Sequence, residues 1–481
     1  MASVGAVPVA LLVVLYLVSL LPVSAGASSQ AGGLVLSVRF LGPVEGGYGW
    51  RVEARVGGLS CRGVVGVNPG YMEARAVSRG LVVLPFYYVL SSVCNDSLGL
   101  AAALDGLSRA GVVRVEVSAP GGYVVRTGLD WRGFGPPGGP YRVPGRLLHR
   151  FYLYDGLVVA STGSYRVVDY PGLGMSLVLY RGFRGVGAGG LAWAVAAASR
   201  EAGRVFGASP RSPVVGVVAS PREFALLAPS TAYSLGGVFL VVDSLAGRNQ
   251  GWYVHVAAHE AVHGWLNDGL VYGDFSFMEA VVEFLALRGL YDYNRSLYRL
   301  AAPYSGEGVD AGEPYAVWMR AHAALWALSV SLCGRDAYSD TLRAIFQRSI
   351  NSSSPRVYSV VDVLRGVEER CGPRVAEAWG RLLPEAPRLN LTLLLRDPAG
   401  VARLAAATRS EATRQERGPG EARSVEAATT STVTVTVTAT PSMPVSPAPP
   451  SGGGGRACGA ALVVALLLAA LCLARRRGVA G

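Results

Sequence analysis

The sequence predicts an α+β fold with a β-rich first part and a helix-rich second part. Three observations predict it. Between Leu34 and about Val168 the chain runs in short β-branched and aromatic stretches (LVLSVRFL, WRVEARVG, GLVVLPFYYVL, VVRVEVSA and HRFYLYDGLVVAS) split by Gly and Pro. Near residue 190 the texture changes, and apolar residues recur at helical spacing in LAWAVAAASREAGRVFG, 191–207. From Pro314 to about Leu383 the pattern is helical almost throughout.

The first stretch is expected to form a sandwich-like domain, because short alternating strands with turn residues between them bury one face each. It shows no catalytic constellation, so its expected role is to pack against the second domain. In that second domain, PVVGVVAS (213–220) and GGVFLVVDS (236–244) read as strands, and Trp252–Leu266 and Phe277–Leu290 as helices. Ala337–Gln347, Val360–Arg370 and Ala376–Leu383 continue a helical lobe.

Both chain ends are apolar. The run Val7–Val23 followed by Ser24-Ala25-Gly26-Ala27 reads as a secretory signal, with an uncleaved membrane helix as the alternative. Ala457–Ala474 is long and apolar enough to cross a bilayer, and Arg475-Arg476-Arg477 directly after it places the tail in the cytoplasm. The Thr-, Pro-, Ser- and Gly-rich text before it (TTSTVTVTVTATPSMPVSPAPPSGGGG) lacks the apolar content for a core and reads as a stalk. The expected organisation is a signal segment at 1–27, a β-rich domain at 28–170, a second folded domain at 171–400, a disordered stalk at 401–456, a transmembrane helix at 457–474 and a tail at 475–481. Together these describe a single-pass protein with its folded part outside the cell.

Cysteine usage agrees with that location. Cys458 and Cys472 lie in the apolar C-terminal run, which leaves Cys61, Cys94, Cys333 and Cys371, an even number. Pairing Cys61 with Cys94 and Cys333 with Cys371 is the simplest of the three connectivities. N-x-S/T sequons begin at Asn95, Asn294, Asn351 and Asn390. The formal net charge is +11, with every one of the 44 basic residues an arginine. These arginines are scattered rather than gathered on one face, which argues against a nucleic-acid partner.

The chemistry concentrates at His259-Glu260-Ala261-Val262-His263. Two histidines four apart share one face of a helix, so both imidazoles can reach one zinc ion. Glu260, next to the first, is placed to activate water at the metal rather than to bind it. A catalytic zinc site needs a third protein ligand and one open position. Leu266 and Gly269 stand where a metzincin would carry Gly and His, so that continuation fails. Asp268 and Asp274 sit in a Gly-rich connection and are weaker choices. The next helix carries Glu279 and Glu283 one turn apart on one face. Glu279 is read as the ligand and Glu283 as the carboxylate that orients a zinc-binding histidine. His255, one turn before His259, is read as a core or supporting histidine, since three successive turns of a straight helix do not converge on one ion. His322 and His149 take the same plain reading.

HEAVHGW followed by the Phe277–Phe284 helix resembles the gluzincins, zinc metallopeptidases that include the aminopeptidase N, glycyl aminopeptidase and thermolysin-like branches. The resemblance covers roughly 190–385. It implies a thermolysin-like catalytic domain with a helical lobe, hydrolysis of a peptide or protein substrate, and zinc held by two histidines and a glutamate. Fifteen residues separate His263 from Glu279, a shorter gap than those families use, and Glu283 would restore the usual one. Glu313-Pro314-Tyr315-Ala316-Val317 resembles the helix whose tyrosine stabilises the oxyanion in aminopeptidase N relatives, which assigns that part to Tyr315. The Lys-Gly pair of that helix is replaced by Val317 and Trp318. At the edge-strand position where those aminopeptidases carry a glutamate for the substrate amine, this chain has Tyr233-Ser234-Leu235-Gly236-Gly237. The two glycines are expected to let a substrate backbone approach closely. A cell-surface binding protein on a retired peptidase fold is the rival reading, and the intact HExxH argues against it.

Overall fold

A computed structural model describes residues 34–66, 76–94, 97–221, 232–243, 250–267, 270–274, 276–304, 314–352 and 356–416. The expected signal, stalk and transmembrane segments lie outside these residues, apart from the helical start of the stretch assigned to the stalk. The fold is a mixed α+β one, with a β-rich N-terminal region and a helical C-terminal part.

The first region holds two sheets. One is ordered β3-β2-β1-β6-β8, from strands Leu59–Gly66, Gly49–Val56, Leu34–Pro43, Val113–Ser118 and Tyr141–Val143. The other is ordered β4-β5-β9-β7, from Ala76–Val77, Leu81–Pro85, Gly156–Ser161 and Tyr123–Thr127. Leu36, Val38 and Val52 of the first face Leu84, Leu157 and Val159 of the second across one apolar core. This is a two-sheet packing, but not a plain sandwich. β1 and β6 run parallel, which needs a long crossover. The crossover supplies two helices, α1 (Phe86–Val93) and α2 (Ser97–Arg109), and a third, α3 (Gly145–Arg150), follows β8. The expected strand over FYYVL is therefore corrected to a helix. Phe86, Val89, Leu90 and Val93 are its buried face, a three-and-four spacing that overrides the β-prone aromatic composition.

A third sheet, ordered β10-β11-β12-β14-β13, is built from Tyr165–Tyr170, Met175–Tyr180, Val215–Ala219, Val238–Val242 and Ala232–Leu235. β11, β12 and β14 are parallel, and the two edge strands are antiparallel to them. β10, which the sequence reading placed in the β-rich stretch, pairs with β11 and so belongs to this third sheet. Both faces of this sheet are covered, which is why its central strands are apolar without alternation. Val215, Val217, Val238 and Leu240 face Leu81, Val83, Val158 and Ala160 of the small sheet. Val218, Phe239 and Val241 face helices α4 (Ala188–Phe206), α5 (Gln250–Val262) and α6 (Met278–Tyr293). Gly289 lets α6 close on α4: a Cβ there would lie 2.7 Å from the Ala197 carbonyl oxygen.

After α7 (Arg295–Ala301), the helical lobe is centred on α8 (Pro314–Cys333), packed by α9 (Ala337–Asn351), α10 (Val360–Cys371), α11 (Pro373–Leu382), α12 (Leu391–Arg396) and α13 (Pro398–Glu416). α13 crosses the expected start of the stalk at 401. Val401 and Ala405, one turn apart, are buried in the lobe's core, so the folded part continues into this helix. Cys61 is bonded to Cys94 and Cys333 to Cys371, with Cα atoms 5.2 and 5.4 Å apart. Replacing both Cys333 and Cys371 by serine is expected to cost about 4 kcal/mol, from the chain entropy released when a 38-residue separation is no longer closed. Urea unfolding checks this, and a loss below about 1 kcal/mol would mean that helix packing alone holds the two ends together.

Candidate active site

Two helices supply the site. α5 carries His255, His259 and Glu260, and His263 follows just past its end. α6 carries Glu279 in its first turn and Glu283 one turn on. The helices pack side by side, which sets the histidine face of one against the acid face of the other.

Three atoms converge there. His259 Nε2 lies 3.2 Å from His263 Nε2 and 3.2 Å from Glu279 Oε2, and His263 Nε2 lies 3.7 Å from the same oxygen. A tetrahedral zinc with bonds of about 2.0–2.1 Å sets its ligand atoms about 3.3 Å apart, so this triangle fits such an ion. The remaining ring nitrogens are already used. His259 Nδ1 donates to Glu283 Oε2 at 2.8 Å, and His263 Nδ1 donates to the Leu266 carbonyl at 2.9 Å. Each bond leaves the Nε2 lone pair facing the triangle, the arrangement that presents imidazole to a metal.

Glu283 is fully buried, and its other oxygen pairs with His255 Nε2 at 2.7 Å. His255 thus sits behind the triangle, among the supporting groups. His322 is buried on α8, where Nε2 donates to the Ser276 carbonyl at 2.8 Å and Nδ1 accepts from the Tyr338 hydroxyl at 3.0 Å. Burial pushes its pKa down to about 4, which keeps it neutral. His149 is exposed on α3. Tyr315 falls in the first turn of α8, and its side chain lies outside the described residues.

The electrostatics favour a cation at the triangle. Burial disfavours charge on every member, yet the opposed charges prevail. Hydrogen bonds and charge from His259 and His263 hold the Glu279 carboxyl far below its usual range, and His255 and His259 do the same for Glu283. The two carboxylates raise His259 well above its usual value, and Glu279 raises His263. Two acids facing two imidazoles pull on positive charge, whether proton or dication. Glu260 differs: it is 7% exposed, and burial raises its pKa against the lowering pull of the histidines. A carboxyl raised in this way is a better proton acceptor when ionised.

The expectation for Gly236 and Gly237 is corrected. Both are buried in the turn between β13 and β14, and a Cβ on Gly237 would lie 2.6 Å from Gly128 Cα. They let the β-rich region approach the third sheet, so the close contact is internal to the protein. The sequence reading also missed the groups around the far end of α5: Ser209, Arg211 and Asn267. A small residue in HEAVHGW, Gly264, was the one local sign of a close approach there.

No family model matches the chain, and no curated protein matches it. Solved structures with a similar arrangement include a mutant M1 zinc metallopeptidase from Deinococcus radiodurans, at 15% identity and a TM-score of 0.41, with 74% of this chain and 96% of that one covered. Another is an aminopeptidase N family protein from Idiomarina loihiensis, at 9% identity and a TM-score of 0.36, covering 77% and 70%. A third is yeast LTA4 hydrolase, at 11% and 0.35, covering 76% and 68%.

Proposed function

We propose that this chain is a zinc-dependent metallopeptidase of the gluzincin kind, with His259, His263 and Glu279 as ligands and Glu283 as the carboxylate that orients His259. The observation that carries the reading is the convergence of the two Nε2 atoms and Glu279 Oε2 within 3.7 Å while both Nδ1 atoms are occupied elsewhere. Zinc, when bound, supplies Lewis-acid polarisation of the scissile carbonyl and lowers the pKa of water at its open position. Glu260 takes the proton from the attacking water and passes it to the leaving amine. Tyr315 supplies a hydroxyl donor for the developing oxyanion. β13 is an edge strand packed against α5, and its outer edge suits an extended peptide that adds as a further strand.

We propose further that the folded part lies outside a cell, a reading supported by the apolar chain ends and the bridges. The apolar run 457–474 with its arginine-rich tail anchors the protein in a membrane, and the signal segment sends the folded part outside. The Cys61–Cys94 and Cys333–Cys371 bridges suit an oxidising exterior.

The purified full-length protein is expected to hold about one zinc per chain, as a site with three ligands and an open position requires. Metal analysis of the wild type and His259→Ala tests this. No zinc in the wild type, or a full complement in the variant, would remove the site.

A further inference from the structure

His263 is the ligand candidate with the least support from its own helix. It lies just past the end of α5, and its ring is oriented by the Leu266 carbonyl three residues on. The turn that carries Leu266 is in turn held by side chains from elsewhere. Asn267 Nδ2 donates to the His263 carbonyl at 2.8 Å, and Ser209 Oγ donates to the Gly264 carbonyl at 2.8 Å. Trp265 Nε1 donates to the Gly207 carbonyl at 2.8 Å, and Arg211 Nη1 donates to Asn267 Oδ1 at 3.2 Å. Ser209 and Arg211 are themselves buried, 7% and 8% exposed. Gly264 admits this approach: a Cβ there would lie 2.8 Å from the Arg211 carbonyl oxygen and 2.9 Å from Ser212 Cα.

The segment Gly207–Ser212 is fastened on its other side to the β-rich region. Arg132 reaches it through Nη1, 3.2 Å from Ser212 Oγ, and through Nη2 to the Ser212 carbonyl. Arg132 is anchored at home by Nε, which donates to the Gly128 carbonyl at 3.0 Å. Asp155 Oδ1 lies 3.5 Å from Arg211 Nε, and both groups are buried. A continuous set of polar contacts therefore runs from Arg132 and Asp155 to the His263 and Gly264 carbonyls, in the turn whose Leu266 carbonyl orients His263.

We propose that Ser209, Arg211 and Asn267 are positioning residues for His263, and that the β-rich region sets them through Arg132 and Asp155. This gives the N-terminal region a part in metal binding beyond packing. The inference rests on the metallopeptidase reading above. Loss of the clamp frees the 263–267 turn, moves the Leu266 carbonyl, and lets His263 rotate away from the triangle. Groups that orient metal ligands in this way change affinity by roughly 10–100-fold when removed.

The test compares zinc affinity, by competition with a chromogenic chelator, and the kcat and KM of peptide hydrolysis in the full-length protein. The variants are Asn267→Ala, Arg132→Gln and, as a control for simple destabilisation, Val52→Ala in the β-rich core. Asn267→Ala is expected to weaken zinc about tenfold or more and to lower kcat with KM nearly unchanged. Arg132→Gln is expected to act in the same direction by a smaller factor, and it decides the matter alone if Asn267→Ala does not fold. Val52→Ala is expected to lower Tm and leave zinc affinity at the wild-type value. Folded Asn267→Ala and Arg132→Gln proteins that bind zinc like a zinc-loaded wild type overturn this inference alone. A wild type that binds no zinc overturns the metal reading and this inference with it.

Discussion

Glu260→Gln is expected to keep the fold and the zinc and to lose hydrolysis by roughly 10²–10⁴-fold, the usual contribution of a positioned general base. The side chain is 7% exposed on a helix whose other positions are almost all buried, so an isosteric amide is the least disturbing change available. It removes only the ability to accept a proton. Burial raises the pKa of Glu260, so removal of its ionised form also relieves an electrostatic cost, and Tm is expected to hold or rise slightly. The measurement is kcat/KM on a peptide together with zinc content and a thermal melt. Turnover close to that of the wild type would assign the proton to another group. Loss of zinc along with activity would mean that Glu260 supports the metal instead.

The second large effect separates the two glutamates of α6. Glu279→Ala removes one of three ligand atoms and is expected to weaken zinc beyond the roughly 10–100-fold that loss of a supporting group brings. Glu283→Ala is expected to stay within that range. It takes the acceptor from His259 Nδ1, 2.8 Å away, and from His255 Nε2, 2.7 Å away, but leaves the triangle's own atoms in place. Because Glu283 is fully buried between two imidazoles, its loss is also expected to destabilise the fold, by the few kcal/mol typical of a broken buried pair. Glu279 is about one-third exposed, so the loss of its pairing with the two histidines is screened by solvent, and its replacement is expected to destabilise the metal-free protein less than that of Glu283. Zinc titrations and urea melts of both variants check the two halves. The reverse order of zinc affinities would transfer the ligand to Glu283.

Much of the site was legible because its logic is local. Residues four apart on a helix share a face, and His259/His263 and Glu279/Glu283 are such pairs, so each face could be read before any contact was known. The fold was legible in class and misread in detail where composition and spacing disagree. Phe86–Val93 is rich in the aromatic and β-branched residues of strands, yet its buried positions follow helical spacing. β10 looked like the last strand of the first region, since nothing in its residues says which sheet it joins. Arg211 and Asn267 were invisible as a pair because 56 positions separate them along the chain. A contact of that range leaves no period in the sequence, and only Gly264 betrayed it.

The short gap between His263 and Glu279 has a meaning of its own once both helices are in view. Glu279 and Glu283 are set by rotation about the axis of α6, and His259 and His263 by α5 with the turn that directly continues it, and the two helices are brought together by packing. Among the described residues, those between Asn267 and α6 contribute none of the converging atoms. An extra residue between His259 and His263 would turn the second by about 100° and scatter the triangle. The same extra residue in the joining loop downstream of Asn267 would leave both helical registers intact. Insertions and deletions in descendants of this gene should therefore gather in that loop and avoid the two helices, and the gap is a poor ruler for deciding which acid meets the metal.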